Sequence, residues 1–295
     1  MQTSSMKYTF SGHESFPCKS LWLKKGYDFM IARCDFNSAD AVVQLGVGKN
    51  MVSSIRYWMK CFGLTQSNEL TDIATFIFDT QKGKDPYIED LGTLWLLHFM
   101  LIYSKVATLY NLFFTKFQRE RKQFTKKQLC DFVQRKMREV NKANEFNANT
   151  VSKDINVLLQ NYVLPKSDHS FEDFSSLLID LDLVHVSDQK NLDKNDKTNN
   201  VYYFNVEAKR VVTKDIFLFA IIKMKGEENT IPYEMLQDIG SVFCMNDAEI
   251  IYTLKQLEKM FPKHLIYSDV AGIRQLQFVQ ELTAEYVLRQ YYEKV

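Results

Sequence analysis

Along the chain, apolar residues at helical spacing alternate with short strand-like runs, in three stretches covering residues 1–90, 91–210 and 211–295. No strict period relates the stretches, so they share a pattern and not a repeat. In the first, Asn37 or Ser38 is a good cap before an apolar run, which predicts a helix ending at Gly46, a residue suited to a left-handed turn. A second helix restarts near Lys49 and reaches Phe62, with Gly63 behind it, and Gln81 to Pro86 reads as a linker. The middle stretch opens on an apolar helix from Leu91 through Phe117, followed by a charged helix at Thr125–Ala143 and a third helix at Asn149–Tyr162. An acidic amphipathic piece, Phe171–Leu181, leads to strand-like runs at Leu183–Val186 and Val201–Val206, which flank a polar insert read as a hairpin loop. The last stretch predicts helices at Lys214–Lys225, Tyr233–Ile239 and Asp247–Met260, a hairpin around Asp269–Gly272, and a closing helix at Thr283–Lys294. The fold class expected is mainly α with small β-hairpins (α+β): tandem winged-helix-like modules around a central buried helix.

Helix-turn-helix units have a physical grammar: two short helices cross at a glycine bend, and apolar residues at fixed offsets pin them to a third helix. Ala41, Leu45, Val47, Val52 and Ile55 fall at such offsets around Gly46. The outward positions are then Gly48, Lys49, Asn50, Ser53, Ser54 and Tyr57, residue types that reach phosphates and base edges, with Arg56 and Lys60 as phosphate anchors. Val42 departs from the pattern, because close helix crossing favours Ala or Gly there. A second candidate is Asn149–Tyr162. Its apolar stripe is Val151, Ile155, Leu158, Leu159 and Tyr162, and Ser152, Lys153, Asn156 and Gln160 point away from it. A third, Asp247–Met260 with the hairpin behind it, has the same layout and an acidic outer face. All three geometries also serve simply to pack proteins together.

Charge sharpens this picture. The chain has 295 residues, enough for two or three packed units, and a net charge of only +1, which argues against indiscriminate coating of DNA. Locally the balance is uneven: Lys105–Lys142 holds seven Lys and four Arg against three acids, whereas Cys61–Ser104 holds two Lys against six acids. Five cysteines without a CxxC pair read as reduced thiols of a cytoplasmic protein. The N-terminus lacks an apolar signal core, and the uncharged run Leu91–Ser104 is shorter than the roughly 20 residues a membrane span needs. No membrane partner is expected.

Other motifs fail or stay weak. Gly46–Asn50 resembles a phosphate-binding loop, but Val43 and Asn50 stand where a P-loop needs Gly and Ser or Thr. His13-Glu14 has no second histidine at helical offset for zinc, and Cys18 beside His13 would need a lowered thiol pKa to act as a nucleophile. The GHESF segment reads better as a buried polar turn ordering the N-terminus. His98 reads as a hydrogen-bonded core residue. Glu207-Ala208-Lys209, after the strand VYYFNV, resembles a nuclease strand ending in Glu-x-Lys, whose magnesium site would need Asp182 or Asp188 as a further carboxylate.

Several segments resemble a bacterial family catalogued as domain of unknown function 4007: Phe10–Asp28, Ala39–Leu64, Leu91–Ser104, Asn149–Val163 and Ser268–Leu276. They run through nearly the whole chain in order; Asp188–Asn200 is the part that looks peculiar to it. The resemblance implies a setting beside phage-defence or DNA-modification genes, including sulfurtransferases resembling phosphoadenosine-phosphosulfate reductase, consistent with DNA phosphorothioation. It brings no catalytic residues to carry over. The expected function is therefore a DNA-binding accessory protein, not an enzyme, without cofactor or metal, acting on double-stranded DNA. Its expected DNA contacts are Lys49, Asn50, Ser53, Ser54, Arg56, Tyr57, Lys60, Ser152, Lys153 and Asn156, with the Lys105–Lys142 region holding phosphates. The alternatives are an adaptor that docks a sulfurtransferase or ATPase, and a metal-dependent nuclease using Glu207 and Lys209.

Overall fold

Helix α1 (Trp22–Ile31) and α2 (Ala41–Leu45) lead into α3 (Lys49–Cys61), and the bend between the last two is made by Gly46 at φ +65°. There the Gly46 N–H donates to Val43 O and the Val47 N–H to Val42 O, which satisfies the carbonyls left open at the end of α2. The computed structural model describes residues 8–165, 176–187, 200–206, 212–270 and 272–295. A two-stranded hairpin, β1 (Thr65–Gln66) and β2 (Glu69–Leu70), and helix α4 (Asp72–Phe78) follow α3.

Helix α5 (Leu91–Tyr103) is apolar on nearly every side and buried along most of its length, as its sequence requires. The single helix expected through Phe117 is a correction. Lys105 adopts φ +57°, and the chain turns by 101° before α6 (Thr108–Leu112), a π-helical turn (Phe113–Phe117) and α7 (Gln118–Glu120). Ser104 holds this corner, its Oγ donating to Cys61 O at 2.7 Å and accepting from the Val106 N–H. Among the described residues no single helix is long and apolar enough to cross a membrane.

Strand β3 (Gln123–Phe124) precedes α8 (Lys126–Glu139), which starts at a reciprocal cap: Thr125 Oγ1 accepts from the Gln128 N–H while Gln128 Oε1 accepts from the Thr125 N–H. Such caps contribute about 1 kcal/mol. Helix α9 (Ala148–Tyr162) and strands β4 (Val184–Val186) and β5 (Tyr202–Phe204) complete an antiparallel sheet of order β3-β5-β4. Its inner face carries Phe124 and Phe204, which meet Phe113 and Phe117 at ring separations of 4.5–6.5 Å. The expected acidic piece lies outside the described residues up to position 175, and the polar insert lies outside them except for Asn200.

The chain divides into two compact units, Met1–Phe204 and Asn205–Val295. The expected 1–90 and 91–210 stretches thus fall together in the first unit up to residue 204. The second unit contains α10 (Lys214–Lys225), β6 (Thr230–Pro232), α11 (Tyr233–Val242), α12 (Asp247–Met260), β7 (Leu265–Val270), β8 (Ile273–Phe278) and α13 (Ala284–Tyr292). Its sheet order, β6-β8-β7, matches that of the first unit. The pairing of the hairpin runs further than expected, as far as Val270 with Ile273. The result is a mainly helical α+β chain with small antiparallel sheets.

Candidate nucleic-acid interface

Helix α3 buries Val52, Ile55, Trp58 and Met59 and turns Lys49, Ser53, Arg56 and Lys60 outward. Their spacing of four, three and four residues puts them on one stripe. Asn50 is exposed beside it. Arg56 is held in place without an acid: its guanidinium donates to Asn37 Oδ1 at 2.9 Å and Asn68 Oδ1 at 3.3 Å. Neutral acceptors orient the group and leave its charge available.

Two of the expected α3 contacts are corrected. Ser54 is fully buried, and its Oγ donates to His13 O at 2.9 Å. Tyr57 packs its ring against Gly12, where a Cβ would sit 2.6 Å from the ring carbons, and burial pushes its hydroxyl well above the usual phenol range. Ser54 faces the N-terminal segment and not solvent; Tyr57 packs on that segment and is half-buried.

That segment is a strap between α3 and α9. The Ser11 N–H donates to both oxygens of Asp154, at 3.1 and 3.0 Å, and His13 Nε2 lies 3.0 Å from Asp154 Oδ1. The Ser15 N–H donates to His13 Nδ1 at 3.1 Å, so the ring proton directed at Asp154 sits on Nε2. Trp58 Nε1 donates to Phe16 O, and the Cys18 N–H donates to Asn161 Oδ1. Helix α3 therefore grips the strap through Ser54 and Trp58, and α9 through Asp154 and Asn161. Ser11, Gly12, Glu14 and Ser15 all have positive φ, a concentration of costly backbone that persists only where surrounding contacts determine it. The expected buried polar turn is this strap.

On α9, Ser152 and Lys153 are exposed, and Asn156 is half-buried, accepting a hydrogen bond from Lys126 Nζ at 2.6 Å. Partial burial lowers the Lys126 pKa. Asn156 and Lys126 line a groove of about 700 Å³ together with Ser15 and Lys19 of the strap, Met51 of α3 and Gln160 of α9. Of the expected contacts only Asn156 lines this groove; α3 reaches it through Met51, and the outward stripe of α3 does not border it. The Lys105–Lys142 region is less available than its sequence suggests: Arg135 pairs with Glu120 and Glu139, Lys136 with Glu139, and Lys142 with Glu145.

Sequence reasoning missed Asp154 and Asn161. Their signal was present, as polar residues at positions 154 and 161 interrupting the buried stripe of α9.

The enzymatic motifs fare differently. Cys18 is fully buried, and burial followed by the neighbouring Cys61 raises its thiol pKa far in the wrong direction for a nucleophile; Cys61 itself is pushed up to about 12 by burial. His98 is a core residue, Nδ1 lying 2.9 Å from the Tyr162 hydroxyl. Glu207, Lys209 and Asp188 lie outside the described residues, and Asp182 is engaged by His185 Nε2. Among the described residues no group of three or more His, Cys, Asp or Glu could hold a metal.

The model of the family described as protein of unknown function (DUF4007) matches residues 10–292. The chain belongs to this family. The match takes in both the strap and α12 of this DUF4007 protein. No curated protein matches it. Two solved structures do: an SspB crystal structure with TM-score 0.80, and a magnesium ion-bound SspB crystal structure with TM-score 0.78. Each is 25% identical, and each alignment covers 97% of this chain and 88% of the other.

Proposed function

We propose that this DUF4007 protein is a double-stranded-DNA-binding accessory protein of a bacterial phage-defence or DNA-modification system linked to phosphorothioation. The observation that carries the DNA reading is the exposed stripe Lys49, Ser53, Arg56 and Lys60, which follows a left-handed glycine bend on a helix that contains no acid; Asp35, from the preceding loop, shares a hollow with Arg56. A helix entering a groove needs such small, polar and basic positions on its outer side. We read the segment from α6 to β5 and the C-terminal unit as winged-helix modules. In both, the order is helix, strand, helix, helix, strand, strand, and the third strand lies centrally in the sheet. In the first module α9 is then the helix that presents Ser152, Lys153 and Asn156. The strap supports joint use of α3 and α9, because it is hydrogen-bonded to two side chains of each, Ser54 and Trp58 on α3 and Asp154 and Asn161 on α9. The defence setting rests on the family likeness.

Replacing Lys49, Arg56 and Lys60 together by Ala should weaken duplex binding and lower the slope of log K against log salt by about 0.9 for each phosphate no longer neutralised. Titrations of plain and phosphorothioated duplexes at two salt concentrations measure both. Wild-type affinity and slope in the triple variant would remove the assignment. Capture of a sulfurtransferase or ATPase without any DNA binding would install the adaptor reading in its place.

One observation favours a second reading, the nuclease: a structural neighbour is described as magnesium ion-bound. The described residues do not supply a magnesium site, so no step is derived through one. Magnesium-dependent cleavage that disappears in Glu207→Ala supports this reading; absence of cleavage by the wild-type chain with any divalent metal ends it.

A further inference from the structure

The outer face of α12 differs from the acidic surface its sequence suggests. Ile250, Thr253, Leu254 and Leu257 are buried, and the opposite stripe is Ala248, Tyr252, Lys255 and Lys259, all exposed. Its spacing of four, three and four residues repeats that of Lys49, Ser53, Arg56 and Lys60 on α3. The three acids of α12 lie off this stripe and keep their charge, each held by a neutral donor. Glu249 accepts from the Asn246 N–H in the cap, Asp247 accepts from Gln237 Nε2, and Glu258 accepts from the Tyr267 N–H. Tyr252 is 60% exposed. Lys263, just past the helix, is exposed as well.

An independent feature stands beside the helix in the same unit. The tip of the β7–β8 hairpin presents Val270 and Ile273 as a cross-strand pair, 69% and 65% exposed. The adjacent Arg274 is neutralised by Asp269 at 3.1 Å and lies over the Tyr233 ring. This pair is therefore apolar, and the ion pair beside it is neutral in sum. Apolar tips of this kind fit against sugars and unstacked base steps in a minor groove, whereas phosphates need the lysines.

We propose that α12 and the β7–β8 hairpin form a further duplex-DNA-binding surface, separate from the α3 stripe. Lys255 and Lys259 contact phosphates, Tyr252 contacts sugar or base edges, and Val270 and Ile273 wedge into the adjoining groove. Charge complementarity selects nucleic acid as the occupant, because the outward stripe is basic and carries no acid. The C-terminal unit as a whole has more acids than bases, so attraction is confined to this face and the interaction is local.

The test uses the full chain and a plain duplex of about four helical turns, read by hydroxyl-radical footprinting and by the salt slope. Lys255→Ala with Lys259→Ala should lower the slope by about two, at roughly 0.9 per phosphate neutralised, and erase one segment of the footprint. Tyr252→Ala, and separately Val270→Ser with Ile273→Ser, should reduce affinity and leave the slope unchanged. An unaltered footprint and slope in the lysine variant overturn the proposal. If the α3 triple variant alone abolishes binding, this second surface falls and the first stands. If only the α12 variants abolish it, the first falls and the second stands. Capture of a protein partner that depends on Val270 and Ile273, with no DNA protection there, also overturns it.

Discussion

Asp154 shows how one buried carboxylate can organise an exposed surface. Its two oxygens accept from the Ser11 N–H, and Oδ1 also meets His13 Nε2, in a place where little water can substitute. Asp154→Ala would leave the buried His13 ring donor without an acceptor, at about 1–3 kcal/mol, and the part-buried Ser11 N–H without its partner at a smaller cost. The expected loss of stability is about 3 kcal/mol, seen as a lower urea midpoint with an unchanged slope. Lys153→Ala, one residue away and exposed, should change stability by no more than about 0.5 kcal/mol. Equal midpoints for the two variants would mean that the strap is not held through this carboxylate. Asp154→Asn keeps one acceptor oxygen and should fall between them. The bonds that supply this stability are the same ones that tie the strap to α9.

At the scale of elements, Gly46 and Gly12 separate two reasons for glycine. An added Cβ at Gly46 meets nothing within 4 Å, so Gly46→Ala pays only for placing an L-residue at φ +65°, about 1 kcal/mol. Gly12→Ala meets the Tyr57 ring at 2.6 Å in addition to an unfavourable φ of +105°, and should cost more. Thermal melts of the two variants test this ordering; a larger loss at Gly46 would contradict the open bend. The sequence made this bend legible because an apolar pattern and a glycine agreed; the expected cap at Asn37 or Ser38 did not hold, since the helix starts at Ala41 behind Asp40, which makes no side-chain cap bond. The boundaries of α10 and α12 were legible from their apolar patterns. The helix expected through Phe117 misled because Ser104-Lys105 carries no Gly or Pro, and the break depends on Lys105 accepting a left-handed backbone. Strands β1, β3 and β6 are two or three residues long, too short to show a period of two. In the candidate interface, the outward stripe of α3 could be read from spacing. The inward turn of Ser54 could not, since its partner lies 41 residues away in the strap.

For the whole molecule, the two units make different claims about independence. Asn205–Val295 carries its own core, in which Ile216, Leu218, Leu236, Ile239, Leu254, Leu276 and Val287 are fully buried. A fragment spanning 205–295 should therefore fold cooperatively, with a urea slope of about 1 kcal/mol/M, as expected for a small domain. Residues 1–90 should not. There the strap would lose Asp154 and Asn161, Trp58 would lose the Tyr110 ring that meets it edge-on at 5.8 Å, and Ser104 would no longer bond Cys61 O. Polar backbone groups satisfied from residues beyond 90 would face water or stay unpaired, and the glycine bend contributes too little to compensate. Circular dichroism of the two fragments under urea distinguishes the cases. A cooperative transition in 1–90 would show that the first helix-turn-helix stands alone, and α3 would then be free to move relative to α9. Its absence, beside a folded 205–295, means that the basic stripe on α3 exists only because α9 holds the strap in place. Any duplex bound by α3 would then meet α9 at a fixed distance.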